Sequence, residues 1–367
     1  AMADFKSSLF GDHSFLEFTL QDNTIEGCPA MTIDNNVRVE LWDNGILYFH
    51  PQDDLALNSI LLSVGVHGNE TAPIEIIDQL VREIFSGKIP VKHNLLVVIA
   101  NPKAIAKNCR QCDENMNRLF SQDSMPNSNS SDECLRCHRL MIHSQIFFQR
   151  AKAQKIHYDL HTAIRGSVYK QFAISPNSIA SPATEYQYEL LGQWGIQAIL
   201  STQQKSSTYS AFTARVCGAT SFTLELGQVK PFGENNVDEF ASIISGLTAL
   251  ISDTRSLIMQ PSIVERFSVV GEVAKQTESF RLCFSEDTVN FTEFQKGDIL
   301  AIDHNYQYVV SANDERILFP NANVAIGQRA LVIVQSEDNI KASILCKKLK
   351  SLSLVAPATL LLNYYGI

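Results

Sequence analysis

A histidine and a glutamate three residues apart follow a segment that is predicted to be a β-strand. The apolar run is Ser59–Val66, and His67 and Glu70 come directly after it. Glycines on both sides of His67 allow a tight turn, and Pro73, which lacks an N–H, suits the first position of the helical pattern that follows. An imidazole and a carboxylate held in such a turn can converge on one cation. The segment therefore predicts two metal ligands at the end of a strand.

A third ligand is expected from a second strand end. The short apolar segment Lys155–Leu160 is followed directly by His161. Two histidines and a glutamate with an open fourth position form a hydrolytic zinc site. An isolated His-x-x-Glu is a weak signal, but two strand ends carrying ligands are a stronger one. We expect one Zn²⁺ per chain, bound by His67, Glu70 and His161.

The first two thirds of the chain alternate between strand and helix patterns. An Asn44-Gly45 turn predicts a hairpin within residues 37–50. Further strands are predicted at 59–66, 94–100, 155–160, 171–175, 197–201 and 219–226, and helices at 73–85, 132–153, 183–194 and 237–257. A long loop is expected at 101–120. This alternation predicts an α/β domain with helices flanking the sheet.

The pattern changes to short β-type runs near Pro261. These runs are Ser268–Val273, Ile299–Ala301, Tyr308–Ser311, Arg316–Phe319 and Ala330–Gln335. They predict a small all-β domain. We therefore expect a hydrolase domain at residues 1–261, a smaller C-terminal all-β domain at 262–345 and a tail at 346–367.

Composition and charge exclude several classes of protein. The chain has 367 residues, 45% hydrophobic and 19% charged, as in ordinary globular proteins. A formal net charge of −9 argues against a nucleic-acid partner, because phosphates would be repelled. No apolar run is long enough to span a bilayer. We expect no export signal, because the first residues given contain no basic segment followed by an apolar one. We expect a cytoplasmic protein with no membrane or nucleic-acid partner, and the sequence predicts no oligomeric state.

Eight cysteines include two C-x-x-C pairs, Cys109/Cys112 and Cys134/Cys137. Two such pairs can form a structural zinc site. The gap between them is longer than in a usual zinc ribbon and contains a polar segment, Ser124–Ser131. Free thiols of a reducing compartment are the favoured interpretation, and the four-cysteine zinc site is the alternative.

Glu225 is the predicted proton carrier. It ends the strand Ala219–Leu226, so it should lie at the same edge of a parallel sheet as His67 and His161. Three protein ligands leave zinc able to lower the pKa of a bound water towards neutrality. Glu225 would take the proton of that water as general base and return it to the leaving amine. A solvent-facing glutamate at a strand end is the alternative.

Polar residues of the 101–120 loop predict an anion-binding site. Arg110, Asn117 and Arg118 lie in this loop, and Arg165 follows His161 by four positions. An arginine can grip a carboxylate through two hydrogen bonds, and another can stabilise the developing oxyanion. Arg165 is close enough to the predicted metal to meet a second substrate carboxylate. The expected partner is a small anionic substrate.

Four ordered blocks resemble the succinylglutamate desuccinylase and aspartoacylase family. They are His67–Thr71, Asn115–Phe120, Asp159–Gly166 and Thr223–Gly227, and the likeness extends to Phe319–Asn321 and Ala325–Arg329. The resemblance implies a zinc-carboxypeptidase-like mixed sheet flanked by helices. It also implies zinc on His67, Glu70 and His161, with Glu225 as the base. Asn115 stands where many members of the family have aspartate.

The same resemblance implies roles for the loop residues and a reaction. Arg110 would polarise the amide carbonyl, and Asn117 and Arg118 would hold a carboxylate of an N-acyl amino acid. The block Ala163–Ser167 resembles the branch that hydrolyses N2-succinylglutamate to succinate and glutamate, the last step of arginine degradation by the succinyl pathway. Two alternatives remain: an aspartoacylase-like hydrolase of another N-acyl amino acid, and a non-catalytic zinc-binding regulatory protein in which Glu225 is idle.

Overall fold

The structure is a computed structural model that describes residues 9–53, 57–121, 126–176, 181–202, 206–253, 264–342 and 344. The described residues form two compact units. One unit covers the described residues up to Glu265 together with Asp287–Asn290, and the other covers Arg266–Glu286 and the described residues from Phe291 onward. The domain boundary predicted near Pro261 and the predicted tail at 346–367 lie outside the described residues.

The first unit contains a mixed sheet and helices. Its strands are β1 (Ala30–Ile33), β2 (Val37–Asp43), β3 (Ile46–Pro51), β4 (Ser59–Val64), β5 (Asn94–Ile99), β6 (Lys155–Ala163), β7 (Gln171–Ser175), β8 (Ala198–Ser201) and β9 (Thr220–Gln228). Its helices are α1 (Phe15–Leu20), α2 (Thr71–Phe85), α3 (Pro102–Ala106), α4 (Asp132–Gln149), α5 (Pro182–Gln193), α6 (Tyr209–Phe212) and α7 (Ala241–Ser252). The predicted α/β architecture and the hairpin of β2 and β3 are confirmed.

The strand order in this sheet is β1-β2-β3-β5-β4-β6-β9-β7-β8. Strands β5, β4, β6 and β9 run parallel to one another, whereas β1, β2, β3 and β7 pair in the antiparallel sense. The carboxyl ends of β4, β6 and β9 therefore meet at one edge, as the sequence predicted. That edge is where ligands gather in parallel sheets.

The two faces of the central strands differ in chemistry. Strand side chains alternate between faces, and on β6 Ile156, Tyr158 and Leu160 enter the apolar core that α2, α5 and α7 cover. The intervening residues His157, Asp159 and His161 are also buried but are polar. Side chains of α4 and α6 form a second apolar cluster against the sheet. On β6, only the residues of the polar face are therefore available for chemistry.

Several predicted boundaries were wrong by a few residues. Helix α2 begins at Thr71, so Pro73 is its third residue; it is still within the first turn, where an N–H has no partner inside the helix. Helix α4 ends at Gln149. The loop predicted at 101–120 contains α3, because Asn101 caps a helix by accepting from Ala104 N–H and Pro102 follows as its first residue.

Two strand ends also differ from the prediction. Strands β6 and β9 continue past Leu160 and Leu226, because the β6–β9 pairing extends to Ala163 and Gln228. His161 and Glu225 therefore lie inside paired strands. The long helix predicted at 237–257 is a 3₁₀ turn, Val237–Phe240, followed by α7, and residues 254–257 lie outside the described residues.

The second unit is all-β, as predicted. Its strands are β10 (Glu265–Ala274), β11 (Arg281–Leu282), β12 (Glu293–Phe294), β13 (Ile299–Asp303), β14 (Tyr306–Val309), β15 (Glu315–Leu318) and β16 (Arg329–Ser336). They form two antiparallel groups, β10-β16-β15-β12 and β11-β13-β14. Leu300, Ile317 and Leu331 are fully buried in its core.

Two glycines around His67 are required by the fold. Gly65 has φ +68°, a left-handed conformation that favours glycine. A Cβ added at Gly68 would lie 2.2 Å from the Ala104 carbonyl carbon and 2.4 Å from the Ile105 nitrogen, both backbone atoms of α3. The absence of a side chain at Gly68 thus lets α3 approach the turn that carries His67 and Glu70.

We expect Gly68→Ala to lower the free energy of unfolding by about 1–3 kcal/mol, because the added methyl must displace backbone. Urea unfolding of the metal-free protein measures this. Gly166→Ala is the matched control, since its Cβ would meet only the Val289 side chain, at 3.2 Å. An unchanged unfolding free energy for Gly68→Ala would contradict the close approach of α3.

Candidate active site

The structure brings His67, Glu70 and His161 together at the sheet edge. His67 Nδ1 lies 2.8 Å from Glu70 Oε1, and His161 Nδ1 lies 2.9 Å from Glu70 Oε2. All three side chains are buried, and their candidate ligand atoms lie within 4.8 Å of one another. No other cluster of three or more His, Cys, Asp or Glu side chains in the described part of the chain could hold a metal ion. The group is therefore the candidate metal centre.

Two further residues fix the orientation of the histidine rings. His67 Nε2 lies 3.0 Å from Asn115 Oδ1, an atom that also accepts the Asn117 N–H. His161 Nε2 lies 2.8 Å from Asp159 Oδ2. Both partners are acceptors, so each histidine donates from Nε2 and directs Nδ1 towards Glu70. Such outer partners set the tautomer of metal-binding histidines.

The donor set fits a divalent cation. Burial lowers the pKa of His67, although Glu70 opposes this. Burial acts in the same direction on His161, but Asp159 and Glu70 raise the pKa of that ring well above its ordinary value. A neutral ring that donates from Nε2 presents only a lone pair at Nδ1, and that lone pair faces a carboxylate oxygen. A cation between the two removes this repulsion. Two imidazole nitrogens and one carboxylate are ligands that suit zinc.

A network of buried, hydrogen-bonded polar side chains contacts Asp159. Ser63 Oγ donates to Asp159 Oδ1 at 2.5 Å and lies 2.8 Å from His157 Nε2, while His157 Nδ1 lies 2.7 Å from Thr213 Oγ1. Burial lowers the pKa of His157 to about 3, so this ring stays neutral. Burial alone would raise the pKa of Asp159, but His161, His157 and Ser63 lower it. This network therefore keeps the Asp159 carboxylate ionised beside His161.

Glu70 is an ionised carboxylate although it is buried. Burial disfavours its charge, but His67 and His161 hold its pKa well below the ordinary value. Arg110 Nη1 donates to Oε1 at 2.8 Å, and the Thr162 N–H donates to Oε2 at 3.1 Å. Arg110 thus reaches the candidate metal centre from the 101–120 loop, and its side chain is about one third exposed.

Glu225 lies beside His161, and its pKa is shifted in the opposite direction from that of Glu70. Glu225 and His161 are register partners of β9 and β6. Burial raises the pKa of Glu225 to about 7, with His161 and Arg110 lowering it and Glu70 raising it. Its Oε2 atom is buried without a hydrogen-bond partner among the described residues. Glu225 can therefore gain or lose a proton near neutral pH.

The remaining predicted site residues lie on two segments. Asn117 is buried and accepts the Tyr209 N–H at 3.0 Å, and Arg118 is exposed and donates to the Asn117 carbonyl at 2.8 Å. Arg165 donates to the Thr288 carbonyl at 3.1 Å, within the same unit. The contacts of Asn117 and Arg118 place them next to Asn115 on the Arg110 loop.

Sequence reasoning missed Asn115 and Asp159 as partners of the ligands. A signal existed for Asp159, because it precedes His161 by two positions and so faces the same side of the strand. None existed for Asn115, whose role depends on how the loop folds back onto His67. The four cysteines of the C-x-x-C pairs do not form a metal-binding group in the described structure.

Comparison with known proteins agrees with this geometry. The model of the Succinylglutamate desuccinylase/Aspartoacylase catalytic domain matches residues 56–251, and that of the AstE/AspA barrel-sandwich hybrid domain matches residues 262–337. The succinylglutamate desuccinylase of Burkholderia thailandensis is 39% identical over 324 residues, covering 87% of this chain and 92% of that protein. The chain thus belongs to the succinylglutamate desuccinylase/aspartoacylase family, as the sequence blocks predicted.

Solved structures show the same fold. The succinylglutamate desuccinylase of Vibrio parahaemolyticus aligns with a TM-score of 0.80 at 31% identity, covering 89% of this chain and 96% of that one. Murine aminoacylase 3 aligns with a TM-score of 0.56 at 14% identity, covering 77% and 97%, a likeness of fold alone. The predicted mixed sheet with a smaller β domain is confirmed. Within the described residues, no helix has the length and apolar character needed to cross a membrane.

We expect Asp159→Asn to weaken zinc binding about 10–100-fold, because a neutral amide removes the negative charge that makes His161 a more basic ligand. Competition with a chromophoric chelator measures the affinity. Asp78→Asn is the matched control: Asp78 is buried in the same unit but bonds Leu16 N–H and Arg82. Equal zinc affinity in folded Asp159→Asn and wild type would exclude this role.

Glu225 should also make the stability of the metal-free protein depend on pH. Its folded pKa lies above the ordinary value of 4.5, so the folded state keeps a proton that the unfolded state has lost. Stability then falls as pH rises between these two values. Relative to Glu225→Gln, the wild type should lose up to roughly 3 kcal/mol between about pH 5 and pH 8. Denaturant unfolding tests this, with exposed Glu234→Gln as control; a constant difference would refute it.

Proposed function

We propose that the protein is a zinc-dependent hydrolase that cleaves N2-succinylglutamate into succinate and glutamate, the last step of arginine degradation through the succinyl pathway. The observation that carries this proposal is the position of Glu225, a buried carboxyl group with an unpartnered oxygen beside the ligand His161. The names of the relatives that are 39% identical support the choice of substrate.

The proposed site combines a metal with one proton carrier. His67, Glu70 and His161 would hold the zinc, which when bound makes a water acidic and polarises a carbonyl. Glu225 accepts the proton of the attacking water and delivers it to the leaving amine nitrogen. A pKa of about 7 suits both steps, since a general acid–base group works best when its pKa lies near the working pH.

Three arginines supply positive charge that interacts with the carbonyl and carboxylate oxygens of the substrate. We assign Arg110 to the scissile carbonyl, because its guanidinium already contacts Glu70 at 2.8 Å and is partly exposed. Asn117 and Arg118 hold a carboxylate of the acylated amino acid, and Arg165 meets another carboxylate. A substrate with several carboxylates matches three arginines in a chain whose net charge is otherwise −9.

The proposal includes the domain division and location predicted from the sequence. Residues 1–261 form the hydrolase domain, 262–345 the β domain and 346–367 a tail, and the protein acts in the cytoplasm on a small anionic substrate. The family-model matches to 56–251 and 262–337 support the first two ranges.

Two other functions are less well supported. An aspartoacylase-like hydrolase of another N-acyl amino acid would use the same metal centre and differ in the carboxylate-binding residues. A non-catalytic zinc-binding regulator would leave Glu225 idle. A buried acid without a hydrogen bond destabilises a fold, so its presence beside His161 favours catalysis over regulation.

The test compares glutamate release from N2-succinylglutamate with aspartate release from N-acetylaspartate, using zinc-loaded protein. We expect Glu225→Gln to lower kcat by about 10²–10⁴-fold while zinc remains bound, because the proton carrier is lost. Glu234→Gln, an exposed glutamate, is the matched control. Preference for N-acetylaspartate would favour the aspartoacylase alternative, and activity retained in Glu225→Gln would exclude Glu225 as the base.

A further inference from the structure

Two cysteines flank Arg110 in the loop that reaches the metal centre. Cys109 and Cys112 are both half-buried. Cys109 Sγ donates to the Ala104 carbonyl at 3.7 Å, and burial, Glu133 and the nearby Cys109 thiol raise the pKa of Cys112. Cys112 also lines a cavity of about 610 Å³, a volume typical of small-molecule sites. A small disulfide compound therefore has room beside Cys112.

The backbone on both sides of the pair is fixed by hydrogen bonds. The Cys109 N–H donates to the Ala104 carbonyl at 3.0 Å. The Cys112 N–H donates to Glu133 Oε1 at 2.5 Å, and Glu133 is buried. Between these anchors, the Arg110 carbonyl accepts the Gly68 N–H at 3.1 Å. These hydrogen bonds thus fix the backbone of both cysteines and link Arg110 to the turn that carries His67.

The other cysteines do not share these properties. Cys134 and Cys137 lie on α4 and are buried, as is Cys217. Cys28 and Cys283 are exposed but lie far apart in the sequence. Among the described residues, the Cys109/Cys112 pair alone joins C-x-x-C spacing with partial exposure of both cysteines.

We propose that Cys109 and Cys112 form a reversible redox-modification site whose disulfide moves Arg110 and switches the hydrolase off. The switching effect rests on the proposed function. The oxidant is a small disulfide compound of the glutathione type. One cysteine thiolate attacks it, forms a mixed disulfide and releases one small thiol. The second cysteine then displaces the other small thiol. Two S–H bonds are lost and one S–S bond forms in the protein, while the oxidant gains two electrons and both protons.

The geometry explains why the bond would inhibit. A disulfide brings the sulfurs to about 2.05 Å, which is closer than two free thiols can approach without bonding. Arg110 and Gln111 lie inside the closed ring, so any backbone adjustment that accompanies ring closure falls on these two residues. A shift of about 1 Å in a group that positions a substrate lowers the rate about 10²-fold. The Gly68–Arg110 hydrogen bond would break or lengthen at the same time.

The experiment uses full-length protein carrying Cys28→Ser, Cys283→Ser and Cys346→Ser, which removes competing thiols. It is equilibrated with mixtures of reduced and oxidised glutathione. Trypsin cleaves after Arg110, so reduced protein yields residues 108–110 and 111–118 as separate peptides, whereas the disulfide joins them. We expect the joined peptides, at least tenfold loss of activity, faster amide exchange at Gly68, and reversal by dithiothreitol. Cys109→Ser and Cys112→Ser added singly should keep activity under oxidation.

Two results would overturn the proposal. One is the absence of the joined peptides at every glutathione ratio. The other is a fully formed disulfide that leaves both activity and Gly68 exchange unchanged. If the reduced, zinc-loaded protein cleaves no N-acyl amino acid, the proposed function fails separately. In that case the joined peptides and Gly68 exchange still determine whether the disulfide forms and moves Arg110.

Discussion

The buried carboxylate of Glu70 is the interaction on which the site depends. A carboxylate inside a protein must be compensated by positive charge or hydrogen bonds. Here two histidines, a guanidinium and a backbone N–H surround its two oxygens. These partners come from the turn after β4, from β6 and from the 101–120 loop. Folding of three separate segments is thereby tied to one side chain, and the same convergence creates the metal centre.

The sheet makes this convergence possible because it positions residues by register. Parallel pairing of β4 with β6 and of β6 with β9 sets Ser63 beside Asp159 and His161 beside Glu225. Alternation then sends these side chains to one face, away from the apolar core behind β6. A slip of one residue would exchange the polar and apolar faces of the strand. The apolar residues of β6 therefore specify the site indirectly, because their burial fixes the register.

Local patterns predicted the central strands, the flanking helices and the three candidate ligands. Apolar runs and turn residues act over a few positions, so the apolar strand segments that lead to His67, His161 and Glu225 were visible in the sequence. Asn115 was not, because its contact with His67 spans 48 positions and depends on the path of a loop. Element ends were missed for a related reason: β6 and β9 extend as far as their pairing does, which one segment alone does not reveal.

Glu70 and Glu225 are the same residue type and both are neighbours of His161, yet their environments separate their roles. Burial acts on both. Glu70 has two imidazoles and Arg110 in direct contact, and its pKa falls well below the ordinary value. Glu225 has a buried oxygen without such a partner, and its pKa rises to about 7. Two neighbouring carboxyl groups whose pKa values are shifted in opposite directions identify a permanent anion and a proton carrier. Glu70 and Glu225 share residue type and burial. Their different roles in the proposed hydrolase therefore follow from their hydrogen-bond partners.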